Sequence, residues 1–206
     1  MPTTATTALE IANAALLELG IRSITAFTDA TQTARTVNAL YENVKEEVLG
    51  GYPWRFARGQ VTLLRCAQAP VPWESAYEIG EDVLNIITVY EGDQKVVLER
   101  MGDTIVTMTG EESTDTMTAE VTNNVDESLW PAYFRQAFVL HLAAALAMPL
   151  TKDDKLRQLY EENSYRRMQI AKSRDSQGNT PARIDTKAFL RARRSSGRLT
   201  SGKRFI

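Results

Sequence analysis

Eight residues near the end of the chain, Gly197 to Arg204, read Gly-Arg-Leu-Thr-Ser-Gly-Lys-Arg. Gly197, Gly202 and Lys203 fall where a phosphate-binding loop carries its glycines and its lysine. Arg204 stands where a Ser or Thr would hold magnesium, no strand precedes the stretch, and two residues follow it. That is too few for a helix whose N-terminal N–H groups would hold phosphate. The stretch reads as a flexible basic end rather than a nucleotide loop.

Other residue types capable of chemistry are scattered. The acid pairs Glu46-Glu47, Glu81-Asp82, Glu111-Glu112 and Asp153-Asp154 have no second pair at useful spacing, and read as solvated surface. Cys66 and His141 are the only residues of their kinds. A zinc site needs three or four such ligands, so no metal is expected. A single cysteine allows no internal disulfide and suits a reducing compartment. His141, on an apolar helix face, reads as packed against backbone, and Cys66 as an inert buried thiol. Trp54 and Phe56 have the spacing of a base-stacking pair, but a plug between a helix and a sheet fits them better. Met101, Met108 and Met117 read as filler. No cofactor and no catalysis are expected.

The basic residues do form a pattern. Arg191, Arg193, Arg194, Arg198, Lys203 and Arg204 crowd the last stretch of chain, interleaved with Phe189, Leu190, Phe205 and Ile206. Up to residue 165 there are 12 Lys+Arg against 24 Asp+Glu, a formal net of −12. From residue 166 onward there are 12 Lys+Arg against Asp175 and Asp185 alone, a net of +10. The overall −2 therefore hides an acidic body with a basic tail, an asymmetry that implies a separate partner for the tail. Arginines on nucleic acid would give salt-sensitive, sequence-independent affinity. The aromatic and aliphatic anchors among them favour a groove on a protein.

A 206-residue chain with 43% hydrophobic residues has enough apolar surface for one full domain. The residues at the start carry no basic, apolar leader pattern, and the apolar run from Ala137 to Leu150 is short of a membrane span. The spacing predicts a first helix over Thr7 to Leu19, closed at Gly20, and a second with its cap at Thr28 or Asp29. Ala34, Val37, Tyr41, Val44 and Val48 form its stripe, and Gly50, Gly51 and Pro53 end it. Trp54 and Phe56 are expected on an extended segment. Val61 to Cys66, Val83 to Tyr90, a hairpin of Lys95 to Arg100 with Thr104 to Thr109, and Met117 to Val121 predict one small antiparallel sheet of four or five strands. A third helix is expected from near Ser128 to Pro149, with Phe134, Ala137, Phe138, His141, Ala144, Ala145 and Met148 on its apolar face. Thr151 and Asp154 are expected to cap a fourth helix, ending near Ser173 and buried through Leu156, Leu159, Tyr160 and Ile170. Beyond Arg174 the composition cannot bury enough surface to order alone. Such a coil averages roughly 30 Å end to end.

The fold class is thus α+β, mainly α: a four-helix body with an inserted small antiparallel sheet and an extended C-terminal arm. Residues 1–59 and 128–173 form the two halves of the body, 60–127 the β insertion and 174–206 the arm.

The stretch from Leu16 to Gly20, Ile24, Asp29, the helix with Ala34, Tyr41 and Val48, and then Tyr52-Pro-Trp-Arg-Phe-Ala57 resembles the phage head-to-tail adaptor family, known in short-tailed phages as tail tubular protein A. The likeness continues through Trp130-Pro-Ala-Tyr-Phe134, its alanine-rich helix, and the acidic-to-basic helix with its arm. Residues 60–125 match only in kind.

The resemblance implies a virion protein, assembled in the host cytoplasm as a ring of twelve beneath the portal. The arm would dock on the portal protein, the opposite end would receive the tail nozzle, and DNA would pass through without specific binding; no membrane is involved. The ten arm residues from Phe189 to Ile206 named above would then contact the portal. Two other readings stay open: a nucleic-acid-binding protein with an acidic body and a basic arm, and an enzyme using the segment from Gly197 to Lys203.

Overall fold

A computed structural model describes residues 7–92, 94–108 and 117–178. The described residues form four α-helices and two small antiparallel sheets, an α+β fold that is mainly α.

Helix α1 spans Ala8–Glu18. The Thr7 hydroxyl accepts from the Glu10 N–H while Glu10 accepts from the Thr7 N–H, a reciprocal cap. Gly20 closes the helix with φ +70°, and the N–H groups of Gly20 and Ile21 donate back to Leu17 and Leu16. That paired closure needs a left-handed residue, which glycine supplies without strain. Asn13 then grips the returning chain with two hydrogen bonds to the Ile24 backbone.

Helix α2 spans Gln32–Gly50, and its expected apolar stripe is buried. Its cap is Thr31, which accepts from the Ala34 N–H, rather than Thr28 or Asp29. Asp29 is occupied one turn earlier, accepting from the N–H groups of Thr25 and Ala26, which holds its carboxyl below the usual range. Trp54 and Phe56 do not lie on an extended segment. A 3₁₀ turn at Arg55–Ala57 folds Trp54 into the helical core, where its indole N–H donates to the Val48 carbonyl. Trp54 packs edge-on to Phe134, so it fills the space between α2 and the third helix, not a gap beneath a sheet.

Helix α3, Ala132–Thr151, is the centre of the body: α1, α2 and α4 (Asp154–Ser176) all pack on it. Besides Phe134, Ala137, Phe138 and Ala144, it buries Leu142, Ala143, Leu146 and Ala147. A helix surrounded by three others needs apolar residues most of the way round. By length and composition alone α3 is also apolar enough to cross a bilayer. It does not end at Pro149. The proline lies in the last turn, where it removes only the N–H that would reach Ala145. The Thr151 hydroxyl donates to the Ala147 carbonyl, and Lys152 closes the helix in the left-handed conformation.

Asp153, not Thr151, caps α4, accepting from the Lys155 and Leu156 N–H groups. The buried residues of α4 are Ser164, Ala171 and Asp175, with Leu156, Tyr160 and Met168 half-buried. Leu159 and Ile170 point out, 53% and 46% exposed, against expectation. The reason is close packing: α4 lies on the alanines of α3, and that contact selects small residues. Helix α4 also continues through Ser176, three residues into the stretch that composition gives to the arm.

The insertion holds two four-stranded sheets rather than one. The first has order β1 (Arg58–Thr62), β8 (Met117–Asn123), β4 (Val83–Glu91), β5 (Gln94–Val96). The second has order β2 (Leu64–Arg65), β3 (Ser75–Glu78), β7 (Thr104–Thr107), β6 (Leu98–Met101). The runs expected as single strands break at Leu63 and Val97, and each half joins a different sheet. The stretch containing β3 carries too short an alternation to stand out in sequence. Leu63, Tyr77, Val89, Ile105, Met117 and Val121 from both sheets share one small core.

Candidate functional site

All ten residues expected on the arm, and the segment from Gly197 to Arg204, lie outside the described residues, as do Glu111 and Glu112. What the structure does define is the root from which that segment continues.

Asp175, on the last turn of α4, is 3% exposed. One carboxylate oxygen accepts from the Tyr133 hydroxyl at 2.7 Å and the other from the Arg55 N–H at 3.1 Å. Burial and the hydrogen bond to Asp175 raise the Tyr133 pKa well above its ordinary value. One turn earlier, the Lys172 ammonium lies 5.4 Å from the centre of the Tyr52 ring. The end of α4 is therefore fastened to the 52–55 turn and to the start of α3. The aromatic stretches 52–57 and 130–134 pack together beside it: Trp54 is edge-on and Phe56 tilted against Phe134, and Trp130 is edge-on to Phe134 and Phe138.

A second polar cluster sits where the β insertion returns to the helices. Glu127 accepts from the Lys45 ammonium at 3.0 Å and from the Tyr41 hydroxyl at 3.1 Å, and is 7% exposed. The Lys45 ammonium also lies 5.9 Å from the Trp130 ring centre. Burial first, then the Glu127 charge and hydrogen bond, push the Tyr41 hydroxyl far up. Neither this cluster nor Asp175 stands out in sequence reading. The one usable signal for Lys45 is its position beside Val44 on the buried side of an otherwise apolar stripe.

Two open grooves flank α4. One, about 620 Å³, runs over α3 between α1 and α4, with Ile11, Ala14, Val139 and Leu140 as its floor and Arg135 and Arg167 at its edge. The other, about 520 Å³, lies between α3 and α4 and holds His141, Ala144, Ala145, Tyr165 and Met168. Burial pushes the His141 pKa down, and the Glu47 carboxylate opposes that shift. Ser164 lines the same groove, and its hydroxyl donates to the Glu161 carbonyl at 2.9 Å. Cys66 is half-buried rather than buried, with its thiol pushed up by burial and by Glu78. The described acid pairs are exposed. Among the described residues, no three His, Cys, Asp or Glu side chains stand close enough to hold a metal ion.

What the structure defines is a helical body whose last helix, α4, is held at its end by the Asp175 hydrogen bonds to Tyr133 and Arg55. No protein-family model and no curated protein matches this chain.

Proposed function

We propose that the chain is a structural head-to-tail adaptor of a tailed bacteriophage. It joins the portal to the tail and lines the path of the exiting DNA, and the basic segment grips the portal. The observation that carries this reading is the division of charge, −12 up to residue 165 and +10 beyond it. An acidic wall repels a passing phosphate backbone, so DNA slides rather than sticks. A cationic segment with apolar anchors suits a protein groove, and many copies in a ring offset the ordering entropy of each. The pinned end of α4 supports the same reading, because a tether transmits load only if its root is fixed.

The test is a truncation after Ser176, which keeps Asp175 and every described element. The truncated protein should keep its helical content and lose binding to the portal ring encoded with it, measured by co-sedimentation and negative-stain imaging. Undiminished portal binding overturns the proposal. The arginine-rich end favours a second reading, as a nucleic-acid-binding protein. Submicromolar binding to duplex DNA at physiological salt, with a steep salt slope, would select that reading instead.

A further inference from the structure

The first sheet of the β insertion has a face that the adaptor reading does not use. Val61, Ala119, Val89 and Val96 stand in register across it and belong to the small core. Side chains alternate along a strand, so the residues between them point outward. They form two cross-strand rows: Thr62, Thr118, Tyr90 and Lys95 in one, Gln60, Glu120 and Thr88 in the other. The face thus sets one aromatic ring among an amide, hydroxyls and charges, and Thr88, Tyr90, Thr118 and Glu120 are half-buried.

Gln60 and Tyr90 flank the central strand β8, where Thr118 is short. The three residues line a cleft of about 320 Å³, which Gly92 borders at one end. Gly92 has φ +57° in the turn after β4, a conformation that favours glycine, and without a side chain it leaves that end open. The Gln60 amide and the Thr88 and Thr118 hydroxyls make no hydrogen bond within the described residues. Arg58 is paired with Glu120 at 3.4 Å. Lys95 has no ion-pair partner among the described residues, and its ammonium lies 5.9 Å from the centre of the Tyr90 ring.

We propose that this cleft binds an acidic saccharide: one pyranose ring sits between Tyr90 and Gln60 over Thr118, and its carboxylate reaches the Lys95 ammonium. Three features select that class. Neighbouring strands lie about 4.8 Å apart and their side chains stand roughly upright, so a ring centred over β8 is about 4.8 Å from each wall. That spacing suits a puckered ring whose positive C–H groups meet the negative face of Tyr90. A flat base stacks at about 3.5 Å and would touch only one wall. The unpartnered amide and hydroxyls each supply both donor and acceptor, which matches the hydroxyls of a sugar. One free cation complements one carboxylate, whereas a phosphate backbone would meet that single cation beside the Glu120 carboxylate. The site stands apart from the adaptor reading.

Amide NMR on the isotope-labelled full chain tests this, with tetragalacturonate, neutral cellotetraose and a thymidine octanucleotide as probes. Tetragalacturonate should shift the amides of Gln60, Tyr90, Gly92 and Thr118, with a Kd of about 1 mM for so open a cleft. Cellotetraose should bind the same residues about threefold more weakly, since an exposed ion pair contributes little. Added salt and Lys95→Gln should each remove that difference. Gln60→Ala should weaken both sugars about fivefold, and Tyr90→Leu about tenfold. Gln60 and Lys95 are exposed, so the test does not depend on the half-buried Tyr90, whose variant is checked by circular dichroism. Gln60→Ala and Lys95→Gln should leave portal binding unchanged, so this site and the adaptor reading fail separately. No shift at these residues with sugar at about 10 mM overturns the proposal. So does equal affinity for the two sugars, or an affinity that Gln60→Ala leaves unchanged. Tighter binding of the octanucleotide at this face assigns it to single-stranded nucleic acid and overturns the saccharide.

Discussion

Replacing Glu127 by leucine should strand an ammonium and a hydroxyl inside the body. The Lys45 and Glu127 side chains are 10% and 9% exposed, so neither is solvated as a free ion would be. At 3.0 Å the attraction is about 5 kcal/mol at an effective dielectric of 20, and desolvation of the two ions offsets most of it. The pair therefore adds little beyond an apolar pair of the same volume, yet removing one member costs about 3–5 kcal/mol. The residual exposure places Glu127→Leu near the lower end, about 3 kcal/mol, or roughly 6–12 °C in Tm for a domain of this size. The triple variant Tyr41→Phe/Lys45→Met/Glu127→Leu removes all three polar groups together. It should return to within about 1 kcal/mol of the parent, less any contribution from Lys45 over the Trp130 ring. Urea unfolding followed by tryptophan fluorescence reads both, since Trp54 and Trp130 are buried. A single-variant loss under about 1 kcal/mol would mean that water reaches the pair. A triple variant as weak as the single would mean that the site needs the charges themselves. Either result refutes the reasoning.

Asp175→Ala leaves the Tyr133 hydroxyl and the Arg55 N–H without their acceptor and should cost about 1–3 kcal/mol. Hydrogen exchange should quicken first at the last turn of α4; exchange spread evenly over the body would show that Asp175 does not pin that turn. His141 has a folded pKa below its ordinary value, so the unfolded chain binds a proton before the folded one does. Stability should fall as pH drops below about 6.5 and level off beneath the lowered folded pKa. His141→Gln should flatten that segment of the curve, with Glu47, Glu161 and Arg157 nearby left in place; an unchanged slope assigns it to other groups.

The sequence reveals the helices through periodic apolar residues. The stripe from Ala34 to Val48 and the closure of the first helix at Gly20 are local features, and they hold in the structure. It misjudges α4 because burial there is set by the neighbour. Against the alanines of α3, Ser164 and Ala171 fit where Leu159 and Ile170 do not. It merges the two sheets because nothing local marks a strand that changes sheets. Leu63 at one break is buried and Val97 at the other is 86% exposed, so the breaks share no common pattern. Glu127 and Asp175 stay hidden for a third reason. Their partners are 86 and 120 residues away for Tyr41 and Arg55, and an acid in a polar stretch looks solvated until the chain closes around it.

Those two hidden acids do complementary work. Glu127 draws Lys45 out of the surface charge of α2, so burial of one pair leaves that surface acidic. Asp175, an acid within the basic half of α4, is likewise withdrawn from the surface, while Arg174 beside it stays exposed. Glu127 thus sharpens the charge of the α2 face through Lys45, and Asp175 that of its own helix, in opposite senses. The two anchors also sit at the joints of the body, where the β insertion returns and where the basic segment departs. Neutralising either should therefore loosen a joint and blur a face at once.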